Sequence, residues 1–113
     1  MINTHALGVS GEQKAVKYLI ENQYQIVERN YLTKLGEIDI IAKKDNVIVF
    51  IEVKQKESLR FGYPREMITS AKIDKIRKTA LLYLTKNKKL NEKTRFDCIE
   101  IVGDKITHLK NCF

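Results

Sequence analysis

The chain predicts an α/β domain, with helices packed on the faces of a mixed β-sheet. Three observations carry that prediction. Apolar residues recur at helical spacing in two separated segments; five short segments are rich in Val, Ile, Tyr and Phe; and the resulting order, αβββαββ, contains no internal repeat, low-complexity tract or linker. At 113 residues there is room for one hydrophobic core, so residues 1–113 are read as a single domain.

Ser10 is a candidate cap for a first helix running to about Asn22, with Gln13 completing a capping-box pattern, and Thr4 offers an earlier start. "YQIVERNYL" reads as a first strand, residues 36–42 as a second and 46–54 as a third, followed by the loop "KESLRFGYPRE". From about Pro64 to Lys86, the positions Ile68, Ile73, Ile76, Ala80 and Leu84 describe a long amphipathic helix, with Pro64 in its first turn. After the polar connection "KNKKLNEKT", the segments "RFDCIEIV" and "KITHLK" form two more strands, turned by Gly103 and Asp104.

Composition narrows the class. A hydrophobic content of 43% and a charged content of 31% suit a soluble globular protein. No run approaches the ~18 apolar residues of a membrane helix, so no membrane partner is expected. The first residues lack the pattern of a secretory signal, and the expected location is the cytoplasm. Cys98 and Cys112 are too few for a disulfide framework and are read as free thiols. The formal charge of +7 is concentrated: residues 54–95 carry 13 Lys/Arg against 4 Asp/Glu, whereas the flanking segments are close to balance. Such a surplus suits a polyanion such as nucleic acid, and equally a lysine-rich solvated helix.

The segment "GEIDIIAKKDNVIVFIEVK" carries the chemistry. A two-residue turn at Asp45 and Asn46 pairs Lys44 with Val47. Counting outward sets Ala42 opposite Val49, Ile40 opposite Ile51, Asp39 opposite Glu52, Ile38 opposite Val53 and Glu37 opposite Lys54. By alternation, Ile38, Ile40, Ala42, Val49, Ile51 and Val53 share a wholly apolar face. The other face carries Ile41 and Phe50, then Asp39 beside Glu52, then Glu37 beside Lys54. Directly opposed acids repel, so a cation, a nearby lysine or protonation must offset them. Two carboxylates at that spacing can share a hard divalent ion such as Mg²⁺. The plainer alternative is a solvated edge trading ion pairs worth about 0–1 kcal/mol. Helical spacing adds two inward-facing charges: Glu12 lies within the arc of Ala15, Val16 and Leu19, and Lys72 within the arc bounded by Ile68 and Ile76. Either alone reads equally well as a long side chain passing the core edge.

"GEIDIIA" followed by "VFIEVK" resembles the signature of the small bacterial YraN-like family, placed among the PD-(D/E)XK nucleases and related to archaeal Holliday-junction resolvases. The resemblance extends through Gly8, Gly11, Glu12, Gly62, Lys72, Ala80 and "RFD" at Arg95 to Asp97. It implies a restriction-endonuclease-like αβββαβ core and a metal-dependent endonuclease that hydrolyses DNA phosphodiesters with Mg²⁺ or Mn²⁺, branched DNA being a candidate substrate. It implies Asp39, Glu52 and the Val53 carbonyl as metal ligands, Lys54 as the group that orients the attacking water, Glu12 as an additional carboxylate, and Glu37 as a supporting group. Ile38 stands where the superfamily pattern has proline, and Gln55 and Lys56 follow the lysine where relatives often carry arginine. Arg60, Arg65, Lys72, Lys75 and Lys78 are the candidate phosphate contacts. A non-catalytic nucleic-acid-binding module of the same fold is the alternative, and the dimeric state of related resolvases leaves a homodimer open. His5 and His108 have no suitable sequence neighbours and are assigned no role, while Asp97 is read as structural, paired with Arg95 or another basic group.

Overall fold

The computed structural model describes residues 4–56 and 68–113. Its elements are α1 (Thr4–Glu21), β1 (Gln25–Leu32), β2 (Glu37–Lys44), β3 (Val47–Lys56), α2 (Ser70–Lys86), β4 (Lys93–Val102) and β5 (Lys105–Leu109). The strands lie side by side in chain order, antiparallel except for the parallel pair β3 and β4. A parallel pair cannot be joined by a tight turn, and α2 lies on the crossover between its strands. The expected order and α/β class hold.

The β2–β3 turn is local chemistry. Asp45 (φ 52°) and Asn46 (φ 63°) both adopt left-handed conformations, as a two-residue type I′ turn requires, and the predicted register holds from Lys44↔Val47 to Ile40↔Ile51. α1 begins at Thr4, the earlier of the two expected starts, and ends where Gln23 turns left-handed and Tyr24 N–H donates to the Leu19 carbonyl at 2.9 Å. α2 starts later than the Pro64 expected from its apolar spacing. Thr69 is extended and caps the helix by accepting the Lys72 N–H at 3.2 Å, so Ile68 precedes the helix. Pro64, Gly62, Arg60 and Arg65 lie outside the described residues.

Each helix covers one face of the sheet. Ala15 and Leu19 of α1 pack with Tyr24, Ile40, Ala42, Val49, Ile51, Ile99 and Ile101. Ile76, Ala80, Tyr83 and Leu84 of α2 pack with Ile38, Ile41, Ile48 and Phe50. Each fully buried aliphatic or aromatic side chain contributes about 1.5–3 kcal/mol, so these two layers hold the sheet between the helices.

One residue changes sides. Ile38 belongs to the α2 layer, where simple alternation puts it with Ile40 on the α1 side. The cause lies in both flanking strands. Asn30 has a φ of 52°, and the consecutive residues Arg29 and Asn30 both reach Glu12, which regular alternation forbids. Tyr31 is thereby turned toward α2, and its ladder partner Ile38 goes with it. On the other side, the β2–β3 ladder stops at Ile40↔Ile51, one residue before the acid pair.

Candidate functional site: an acid and lysine pocket at the split hairpin

Asp39 does not stand across from Glu52 as a ladder partner. Its Oδ2 accepts the Val53 N–H at 2.8 Å, so the carboxylate takes the place of a β2 carbonyl and holds the strands apart. In a ladder, a residue's N–H and C=O leave the strand on the same side, so the Val53 carbonyl is directed toward the gap that Asp39 occupies. The predicted pairs Asp39 with Glu52, Ile38 with Val53 and Glu37 with Lys54 are therefore replaced by a wedge-shaped pocket of about 280 Å³. Glu37, Asp39, Glu52, Val53 and Lys54 line it from the sheet, and Lys72, Lys75 and Ile76 close it from α2. Gly36 forms one edge. A Cβ there would stand 3.0 Å from Thr79 Oγ1 and 3.3 Å from Lys75 Cβ on a positive-φ backbone, so glycine lets α2 approach the β2 entrance without crowding.

The charges are arranged unequally. Lys72 Nζ lies 2.8 Å and Lys54 Nζ 3.3 Å from the same oxygen, Glu52 Oε1, and Glu52 is 4% exposed. Burial opposes the Lys72 charge, but its hydrogen bond to Glu52 and the fields of Glu52 and Asp39 outweigh that and raise its pKa. Asp39 is pushed up to about 7, first by burial and then by the Glu52 charge, with smaller contributions from Glu12 and Glu37; the Val53 N–H works the other way. Enclosure and the neighbouring acids together outweigh the one N–H that Asp39 receives among the described residues.

The remaining predicted groups divide. Glu12 is close enough for its charge to act on Asp39, yet its carboxylate is held by Arg29 at 3.5 Å and Asn30 at 3.2 Å and does not line the pocket. α1 itself approaches β3 closely: a Cβ on Gly11 would overlap Gln55 Oε1. Lys75 lines the pocket, whereas Lys78 is exposed and paired with Asp74 at 2.9 Å. Among the described residues, no three His, Cys, Asp or Glu side chains converge as a complete metal cage. Asp39, Glu52 and Val53 line one pocket and offer hard oxygen donors, the type that Mg²⁺ or Mn²⁺ prefers. A wider groove of about 890 Å³ around Tyr31, Leu32, Leu35 and Leu82 has only Lys34 and Lys86 as charged lining residues and contains no acid. Size therefore does not mark the chemistry here.

Two polar features escaped the sequence reading. Glu100, 2% exposed, stands beside Lys54 in the parallel register, which no local pattern announces. His108 is the second. Its Nε2 lies 2.7 Å from Asp97 Oδ2, while Tyr18 OH lies 3.1 Å from its Nδ1. Arg95 donates to both Asp97 oxygens at 2.8 and 2.9 Å and to Tyr24 OH at 2.8 Å, in keeping with the structural role expected of Asp97. Counting outward from the Gly103–Asp104 turn would have placed His108 opposite Ile99, diagonal to Asp97.

Fold and site together define an α/β protein with a paired-acid pocket on a split β-hairpin. The model of the uncharacterised protein family UPF0102 matches residues 11–101, which include every described pocket residue, and the chain belongs to this family. It is similar to a UPF0102 protein of Persephonella marina, 48% identical over 106 residues that cover 94% of this chain and 91% of the relative. A UPF0102 protein of Fusobacterium nucleatum is 44% identical over 110 residues, covering 97% and 92% of the two chains. One from Sulfurihydrogenibium is 49% identical over 102 residues, covering 90% and 89%. No described helix is long and apolar enough to cross a membrane.

Proposed function

We propose that this protein is a nuclease of the PD-(D/E)XK type, with a restriction-endonuclease-like αβββαβ core, that hydrolyses DNA phosphodiesters with Mg²⁺ or Mn²⁺. The observation that carries the reading is the Asp39 carboxyl, wedged between β2 and β3 and held up to about 7 beside Glu52. A carboxyl raised by burial and a neighbouring acid, in a cleft lined by lysines, is the kind of group that functional sites gather. Asp39, Glu52 and the Val53 carbonyl would hold the ion. Once bound, it would polarise the phosphate and make a bound water more acidic. Lys54 orients the attacking water and counters the charge that builds on the transition state. Lys72 and Lys75, across the pocket on α2, receive phosphate oxygens of the scissile strand; Lys78, Arg60 and Arg65 extend the contact along the backbone. Glu12 acts on the site through its field and through water.

The second reading, a nucleic-acid-binding module without turnover, draws on the two ammonium groups already seated on Glu52, which supply part of the charge that a metal would bring. One comparison separates the two. The purified protein and its Asp39→Ala variant are incubated with linear, single-stranded and four-way DNA in Mg²⁺ or Mn²⁺. The nuclease reading expects metal-dependent cuts that fall by about a hundredfold or more in the variant. DNA binding that persists with no cuts by the wild type in either metal favours the module.

A further inference from the structure

Positive charge in the pocket is concentrated on one acid. Two ammonium groups share Glu52 Oε1, while Asp39 receives only the Val53 N–H among the described residues. A divalent ion bound through Glu52 Oε1 would sit against both ammonium groups and be repelled by them, so one lysine must withdraw. The two are not equivalent. Lys54 projects from the same strand as Glu52, and its side chain is 17% exposed. Lys72 reaches across from the first turn of α2, and its side chain is 36% exposed, at the more open wall of the pocket. Lys72 can retreat to solvent without moving the sheet.

We infer that Lys72 is the resident counterion of the acid pair: it yields Glu52 to an incoming divalent cation and then takes hold of a phosphate oxygen of the nucleic acid. This rests on the nuclease reading and specifies how that site is loaded. Before loading, the ammonium neutralises Glu52 and limits its repulsion of Asp39. After loading, the same group stands at the pocket wall with its charge unspent, where a phosphate bridging to the ion would lie. The coupling is reciprocal. Nucleic acid that draws Lys72 away from Glu52 strengthens cation binding, and a cation that displaces Lys72 strengthens phosphate binding.

The test measures Mn²⁺ affinity from the paramagnetic resonance signal of free Mn²⁺, with and without a hydrolysis-resistant phosphorothioate duplex. The proteins are the wild type, Lys72→Gln, Lys72→Arg and Lys93→Gln. A neighbouring charge within a few ångströms moves a carboxylate equilibrium by about one to three decades, so Lys72→Gln is expected to bind Mn²⁺ roughly tenfold more tightly than the wild type. That variant should also lose the strengthening that the duplex confers. Lys72→Arg keeps the charge and stays close to the wild type. Lys93→Gln, at the start of β4 and away from the pocket, is unchanged, which excludes a general net-charge effect. In the wild type alone, the ion-paired Lys72 ammonium resonance should broaden as Mg²⁺ is added. Its persistence through saturation, or Mn²⁺ binding by a folded Lys72→Gln no tighter than that of the wild type, overturns the counterion role and leaves the nuclease reading standing. Absence of Mn²⁺ binding by all four proteins overturns the nuclease reading, and this inference with it.

Discussion

Asp97 and Asp39 lie on opposite sides of one sheet and respond to enclosure in opposite ways. Asp97 is fully buried, yet Arg95, His108 and the Asn111 N–H together supply four hydrogen bonds to its two oxygens. Burial alone would raise this carboxyl; the bonds from His108, Arg95 and Asn111 outweigh it and hold the group below its ordinary range. An ionised carboxylate only accepts, so His108 Nε2 carries the proton it shares with Asp97. Asp39 is enclosed as well but receives one N–H among the described residues, and burial together with the Glu52 charge raises it to about 7. Enclosure by itself does not decide what a buried acid does. A carboxylate whose acceptors are all met ties strands together, and one enclosed beside other acids with a single donor resists ionisation.

The contrast breaks first at Asp97. Asp97→Ala leaves Arg95 without its carboxylate, and urea unfolding should show a loss of about 3–5 kcal/mol. Asp39→Asn should move the other way. The amide oxygen still accepts the Val53 N–H while the unfavourable charge disappears, so the metal-free variant gains on the order of 2 kcal/mol at pH 8 and, on the nuclease reading, shows no metal-dependent cleavage. The pH dependence sharpens the point. Because Asp39 binds its proton more tightly folded than unfolded, its contribution favours the folded state in acid and is lost as pH rises from the ordinary value of 3.8 through about 7. Metal-free wild type should therefore lose stability across that interval, and Asp39→Asn should lack this part of the slope. The Asp97 carboxyl is lowered, so its contribution is present above the ordinary carboxylate range and vanishes as pH falls below it. Gly36→Ala is the smallest expected change, a destabilisation of about 1–2 kcal/mol in the same unfolding assay, from a strained φ and a tight contact with α2.

What was legible in the sequence was what short-range chemistry determines. The β2–β3 register followed from two turn residues that tolerate positive φ, and the inward aim of Lys72 followed from helical spacing. The start of α2 was misplaced because Pro64 is a strong signal and Thr69 a quiet one, with no acid in the first turn to complete a capping box. The side taken by Ile38 was missed because alternation counting assumes an unbroken ladder, and Asp39 breaks it by substituting for a backbone acceptor. Glu100 beside Lys54, and His108 beside Asp97, are products of strand pairing. The second was within reach of counting from a turn already identified; the first depended on a parallel register that only the folded crossover sets.

That crossover bears on how the chain comes to life on the ribosome. β3 is flanked on one side by a hairpin partner that emerges just before it, and on the other by β4, whose residues emerge only after the whole of α2. Until Cys98 and Glu100 are synthesised and zipped alongside Glu52 and Lys54, the acid-bearing strand is an open edge without its second neighbour, and long-range pairings of this kind form late. A nascent chain that has not yet reached β4 therefore carries the acids without the rigid support that aims them, and the pocket is completed only after β4 has paired with β3.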